Sequence, residues 1–140
     1  MKLSLKRAID KKNELTHKLK RYNETLQRYN CCKEKHEYNI HELYTKMEEG
    51  NKELEKLKLA ILETNHRHGM YAFIYRLRSL TTERSNLESM IRKVSNGQCI
   101  PSMPTMEMEG KIAELNEEIK KYQVDLDAFN SKTIVEYFPT

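Results

Sequence analysis

Tyrosine, arginine and hydroxyl side chains recur at steps of four and three residues between positions 71 and 92. This spacing places them on one face of a helix. A guanidinium binds phosphate through paired hydrogen bonds, a tyrosine ring stacks on a planar group, and hydroxyls bind phosphate or sugar oxygens. The face therefore has the chemistry to bind an anionic ligand such as a nucleotide. We call it the polar row, and its members are Tyr71, Tyr75, Arg78, Thr82, Ser85, Ser89 and Arg92.

Two other interpretations of the polar row remain open: a contact between subunits, since Ser and Thr let helices approach closely, and a solvated outer face. Arg84 is more informative, because it occupies a position in the apolar row of the same helix. An arginine there must pair with a carboxylate, a register-setting polar group or a ligand anion. For the ligand interpretation, the predicted binding residues are Asn65, Arg67, Tyr75, Arg76, Arg78, Thr82, Arg84, Asn130 and Thr133.

Metal binding and catalysis find little support in the sequence. Cys31, Cys32, His36 and His41 lie within eleven residues, but adjacent cysteines rarely share one tetrahedral zinc, and histidines five apart point to different faces of a helix. No serine, cysteine or lysine lies beside a base in a catalytic signature. We therefore predict no metal, no cofactor and no enzymatic activity.

Apolar side chains repeat at steps of three and four along the first half of the chain, which is typical of a coiled coil. A first helix is predicted at about 3–29 and a second, in the same phase, at about 37–66. The unbroken phase leaves two alternatives, one helix of about 60 residues or a hairpin with its turn at Asn30 to Lys35. The first row consists of Leu5, Ala8, Lys12, Leu15, Leu19, Tyr22, Leu26 and Tyr29.

Glycine and proline mark the later boundaries. Basic residues before Gly69 predict the end of the second helix, Ser95, Asn96 and Gly97 predict the end of the third, and Pro101 and Pro104 predict a loop. Thr105 is a predicted N-cap, and the β-branched and aromatic tail is expected to pack, extended, against the bundle or a neighbouring subunit. The predicted organisation is long helices within 1–97 (about 3–29, 37–66 and 70–95), a Pro-containing loop at 98–106, a C-terminal helix at 107–130 and an extended tail at 131–140.

The composition agrees with a helical protein. One third of the 140 residues are charged, 38% are apolar, and there are only 4 Gly and 3 Pro and no Trp, which disfavours a β-sandwich or a Gly-rich phosphate-binding enzyme. Helices of this length span about 40 Å, and their narrow apolar rows need neighbours to cover them. The predicted fold class is all-α, with long antiparallel coiled-coil hairpins that form a helical bundle and assemble as a homo-oligomer.

Four short segments, spread over most of the chain, carry a family resemblance. They are a Leu-rich start at Lys2 to Leu15, the segment Leu57 to Asn65 before a turn, an Arg-containing third helix at Leu80 to Leu87, and Asp125 to Thr133 at the end. In these segments the chain resembles the septicolysin-like family of short bacterial coiled-coil proteins. The resemblance implies a coiled-coil fold and defines no mechanism.

Charge and hydropathy limit the partners. No apolar run approaches a membrane span, and no apolar region follows the Lys-rich N-terminus, so we expect a soluble protein without a secretory signal. The odd number of cysteines, two of them adjacent, fits a reducing cytoplasm. Residues 1–35 contain 11 basic and 4 acidic side chains, yet they surround the helix and form no known nucleic-acid motif, so nucleic acid is an unlikely partner.

The sequence thus predicts a cytoplasmic, non-enzymatic helical oligomer that recognises a protein partner through coiled-coil surfaces. The alternative is a phage or bacterial protein, in the host cytoplasm if viral, that sequesters a small anionic ligand such as a nucleotide signal. Its pockets would lie between subunits and be lined by Arg, Tyr and Thr. These two functions predict different effects of substitutions in the polar row.

Overall fold

A computed structural model of the protein describes residues 1–32 and 37–138. Within that part of the chain, helices form all of the regular structure except two strands of three residues, which confirms the all-α prediction. The elements in chain order are β1 (Lys2–Ser4), α1 (Leu5–Tyr29), α2 (Ile40–Arg67), α3 (Tyr71–Ser95), α4 (Thr105–Lys132) and β2 (Ile134–Glu136).

The first helix starts two residues after its predicted boundary because the chain's first residues form a strand. The Ser4 hydroxyl caps α1 by accepting a hydrogen bond from the Arg7 N–H at 3.1 Å. Four side chains of α1 are buried, and all of them belong to the predicted apolar row: Leu5, Ala8, Leu19 and Leu26.

Helices α1 and α2 run antiparallel, which excludes the single long helix. Lys11 Nζ lies 3.8 Å from Glu53 Oε1, and Leu19 packs on Gly50 nearer the other end of the pair. Three residues of the predicted turn at Asn30 to Lys35 lie outside the described residues. Helix α2 begins at Ile40, three residues later than predicted, where Asn39 Oδ1 accepts the Glu42 N–H at 3.2 Å.

Two glycines end helices as the sequence predicts. Gly69 (φ 65°) follows α2, and Gly97 (φ 71°) follows α3, both in the left-handed region that glycine adopts without strain. At the end of α3, the N–H groups of Gly97 and Gln98 donate to the carbonyls of Val94 and Lys93 at 3.0 and 2.9 Å. These two bonds form a Schellman motif, which satisfies carbonyls at the end of the helix.

Helices α3 and α4 also run antiparallel around a small apolar core. Leu80 and Leu87 of α3 pack with Met108, Leu115 and Ile119 of α4, and all five side chains are buried. Helix α4 begins at Thr105, so this residue is the first of the helix and not its predicted cap. The Pro104 carbonyl accepts the Met108 N–H at 3.1 Å.

The C-terminal tail pairs with the N-terminus of the same chain. Strands β1 and β2 are antiparallel, with Leu3 opposite Val135, and the Leu5 N–H donates to the Thr133 carbonyl at 2.7 Å. Val135 and Tyr137 are buried. Of the two arrangements that the sequence left open for the tail, the structure has the tail packed on its own chain.

The chain divides into two compact units. The first comprises Met1–Arg67 with Asn130–Thr140, and the second comprises His68–Phe129. The α1–α2 pair and the two strands lie in the first unit, and α3 and α4 up to Phe129 lie in the second. Each unit has its own row of buried side chains.

Candidate functional site

The first three side chains of the polar row of α3, two tyrosines and an arginine, lie next to one another along the helix. The rings of Tyr71 and Tyr75 lie 6.3 Å apart between centroids, and Arg78 Cζ lies 5.8 Å from the centre of the Tyr75 ring. The four- and three-residue steps of one helix produce this contact. Tyr75 is 60% exposed, and a cation–π contact at such an exposed site contributes about 0.5–1 kcal/mol.

Arg76 is engaged by the neighbouring helix. Its Nη2 lies 3.3 Å from Glu118 Oε1 of α4, and both side chains are about half exposed. The hydrogen bond that Arg76 donates to the Glu118 carboxylate, together with the negative charge of that carboxylate, raises the pKa of the Arg76 guanidinium. The guanidinium therefore stays charged at neutral pH, and its carboxylate partner belongs to the same chain.

Arg84 is also paired within the chain. Its Nη1 donates to Asn116 Oδ1 of α4 at 2.9 Å, and its Nε lies 3.9 Å from Glu88 Oε1 on the next turn of α3. The guanidinium interrupts the apolar row between Leu80 and Leu87. A polar contact inside an apolar row fixes the register of two helices, which was one of the three roles predicted for this arginine.

The two arginines of the polar row differ from Arg76 and Arg84 in their ion pairing. Among the described residues, neither Arg78 nor Arg92 forms an ion pair. Thr82 and Ser85 are exposed, and Ser89 is half-buried. Arg78 is one of the predicted anion-binding residues, and its guanidinium lies on an exposed face where a ligand anion could reach it.

The other predicted ligand-binding residues lie in the first unit. Asn65 Oδ1 is buried without a hydrogen-bond partner, and Arg67 is the exposed last residue of α2. Asn130 is half-buried, and Thr133 gives its carbonyl to the β1–α1 junction. Four of the predicted ligand-binding residues therefore lie in the first unit and five in the second. Within this set, the structure shows a contact between Tyr75 and Arg78.

The cysteines and histidines considered for metal binding are only partly described. Cys31 is exposed, Cys32 is half-buried and His41 is exposed, whereas His36 lies outside the described residues. In residues 1–32 and 37–138, no group of three His, Cys, Asp or Glu side chains has an arrangement that could hold a metal ion.

Sequence reasoning missed two clefts between α1 and α2. The first lies beside Gly50, has a volume of about 650 Å³, and includes Lys18, Lys46, Lys52, Glu49 and Glu53 in its lining. The second, which we call the end cleft, lies where α1 ends and α2 begins and has a volume of about 420 Å³. Its lining residues are Asn23, Leu26, Gln27, Asn30, Cys31, Ile40, His41, Tyr44 and Met47. The spacing of these residues within each helix is visible in the sequence. Whether residues of α1 and α2 line the same cleft depends on the antiparallel pairing of the two helices.

Comparisons with known proteins give no assignment. No family model, curated protein or solved structure matches the chain significantly. Among the described residues, none of the helices has a stretch apolar enough to span a bilayer. Function must therefore be inferred from the geometry of the chain itself.

Proposed function

We propose that the protein is a non-enzymatic, cytoplasmic helical binding protein. It assembles as a homo-oligomer and recognises a protein partner through the faces of its helices. In this proposal the α1–α2 and α3–α4 pairs are coiled-coil hairpins. The buried residues of α1 support this, because all four belong to the apolar row whose members follow at steps of three and four, as does the Lys11–Glu53 pair that flanks the row.

The main observation in support of the proposal is that the chain itself buries only a small part of the surface of each helix. Helix α2 has 28 residues, of which Leu57 and Thr64 are buried. Leu59 and Leu62 lie on another face of the same helix and are 50% and 51% exposed. A helix about 40 Å long that buries one narrow row and exposes leucines elsewhere is suited to a further helical neighbour.

Charge supports self-association over binding to a strongly charged partner. The whole chain has a net charge of +4, with 25 basic and 21 acidic residues. Lys58 and Glu63 flank the exposed leucines of α2, so the face carries both signs. Mixed charge around an apolar centre resembles the polar rim of protein interfaces.

Native mass spectrometry of the protein as purified from cells, before dialysis, tests this proposal. The expected result is a single oligomeric species without small-molecule adducts. A monomer at micromolar concentration would contradict the oligomer. Discrete adduct masses in simple ratio to the subunits would favour the second candidate function below.

The second candidate is sequestration of a small anionic ligand, such as a nucleotide signal, by a phage or bacterial protein. The exposed Tyr75–Arg78 pair supports it, because this arginine has no carboxylate partner in the described part of the chain. Arg78→Ala should then abolish retention of the adduct, whereas Arg76→Ala should have a smaller effect because Glu118 already engages that guanidinium. Loss of the oligomer in both variants would contradict a ligand role for Arg78.

The resemblance to the septicolysin-like family remains a proposal about fold. The antiparallel helix pairs agree with the coiled-coil skeleton that the resemblance implies. Neither a metal, a cofactor nor nucleic acid forms part of the proposed function.

A further inference from the structure

The end cleft differs in charge from the rest of the molecule. Nine described residues line it, and they include His41 but no Lys, Arg, Asp or Glu, although one third of the chain is charged. The cleft beside Gly50 lies between the same two helices, and five of the nine described residues that line it are charged. Within the described part of the chain, the end cleft is therefore the less charged of the two clefts.

The two walls of the end cleft have different chemistry. The α1 wall presents the carboxamides of Asn23, Gln27 and Asn30, whose steps of four and three place them on one helix face. Among the described residues, the side chains of Asn23 and Gln27 form no hydrogen bond. Their donors and acceptors are thus available to a ligand.

The α2 wall is apolar and aromatic. Ile40, Tyr44 and Met47 repeat the steps of four and three, so they also share one face. The Tyr44 side chain is 52% exposed, and Leu26 of α1 adds a buried apolar surface between the walls. A flat ligand between the walls would meet hydrogen-bonding groups on one side and apolar surface on the other.

We propose that the end cleft binds an uncharged nucleobase or nucleoside. Asn and Gln carboxamides match the adjacent donor and acceptor of a base edge, and tyrosine stacks on the face of a base. The volume of about 420 Å³ lies within the range of about 300–1,000 Å³ that small-molecule sites have. Ile40 and Met47 cover the apolar face of the ring system.

Phosphate recognition belongs elsewhere in the chain. The positive end of α2 lies beside the cleft, but Asn39 Oδ1 already accepts the Glu42 N–H there, and the Glu42 carboxylate adds negative charge to the first turn. Among the described residues that line the cleft, none is a lysine or arginine that could form a charge-assisted bond with a phosphate. The site therefore favours the base or nucleoside over the nucleotide, unlike the Tyr75–Arg78 pair.

Cysteine labelling of the full chain tests the proposal without a substitution. Cys31 is exposed and lines the end cleft, while Cys99 is exposed in the segment between α3 and α4. The probes are adenosine, guanosine, cytidine and uridine, and the readout is the rate of N-ethylmaleimide modification at each cysteine by peptide mass spectrometry. At least one nucleoside should slow the modification of Cys31 several-fold and leave Cys99 unchanged.

Matched variants distinguish the loss of a ligand contact in either wall from a general effect on folding. Gln27→Leu and Tyr44→Leu should each abolish the protection of Cys31 with an unchanged helical circular dichroism signal. Asn13→Leu removes an exposed carboxamide of α1 outside the cleft and should leave the protection intact.

The remaining outcomes overturn the proposal. Failure of all four nucleosides to protect Cys31 would show that the cleft does not bind this class of ligand. Stronger protection by the corresponding nucleoside monophosphate would show that recognition depends on the anion. Equal protection in the Gln27→Leu and Tyr44→Leu variants would show that binding occurs away from the cleft.

Discussion

Leu19 of α1 packs directly over Gly50 of α2. A methyl group at position 50 would lie 2.5 Å from Leu19 Cδ2, which is well inside van der Waals contact. Leu19 is 7% exposed, so its side chain has little free space into which it can move. Glycine in the middle of a helix is unfavourable, and this contact explains its presence at position 50.

Replacing Gly50 with alanine should therefore stabilise the protein less than helix propensity predicts. Gly→Ala in a helix gains up to about 1 kcal/mol, and here the displacement of Leu19 offsets much of that gain. Gly110 of α4 supplies the control, because a methyl group there meets no atom within 4 Å. In urea unfolding, Gly110→Ala should show the full gain. A gain for Gly50→Ala equal to that of Gly110→Ala would contradict the proposed contact.

Arg84 and Asn116 should be energetically coupled across the α3–α4 pair. The Arg84 side chain is 30% exposed, and its hydrogen bond to Asn116 connects residues 32 apart in sequence. A double-mutant cycle with Arg84→Ala and Asn116→Ala should give a coupling of about 0.5–1.5 kcal/mol in the unfolding free energy.

The exposed pair Arg76–Glu118 is the comparison for that cycle. Solvent screens its charges more, because its side chains are 51% and 43% exposed. Its coupling should be smaller than that of Arg84 and Asn116, and it should fall further in high salt. The opposite order would show that Arg84 does not set the register of the helix pair.

The helices could be predicted from sequence because their signals are local. Every buried residue of α1 belongs to the predicted apolar row, and Gly69 and Gly97 end helices where the sequence expects them. The β1–β2 pair could not be predicted in the same way. Strands of three residues carry too short a pattern, and their pairing joins the two ends of the chain.

The candidate sites were predictable only in part, because some of their contacts join residues that are distant in the sequence. The steps between Tyr71, Tyr75 and Arg78 lie within one helix, so their contact follows from helical geometry. The partner of Arg76 lies 42 residues away on α4, and sequence alone does not choose between a ligand anion and Glu118. The end cleft likewise depends on the register between α1 and α2.

Removal of the Tyr137 hydroxyl should not weaken the first unit. This hydroxyl is buried and has no hydrogen-bond partner among residues 1–32 and 37–138, while the ring lies 5.4 Å from Lys11 Nζ. Burial of an unpaired polar group costs about 1–3 kcal/mol, and phenylalanine keeps both the apolar contact and the cation–π contact. Tyr137→Phe should leave the unfolding free energy unchanged or raise it by about 1 kcal/mol.

Tyr137→Ala provides the contrast for the same measurement. It removes a side chain that is 4% exposed, and loss of a large buried aromatic group costs about 3–5 kcal/mol. A loss of more than about 1 kcal/mol in Tyr137→Phe would instead show that the hydroxyl has a partner.

Leu59→Glu should dissociate the proposed oligomer without unfolding the chain. Leu59 is 50% exposed in the structure, so the substitution leaves the α1–α2 contacts intact, but it places a charge where a second subunit would pack. Burial of an unpaired carboxylate in an interface is strongly unfavourable, and the native mass should shift to that of the monomer. Leu59→Met is the matched control, since it keeps an apolar side chain of similar volume at the same position and should keep the oligomer. An unchanged mass for Leu59→Glu would place the subunit contact on a different face.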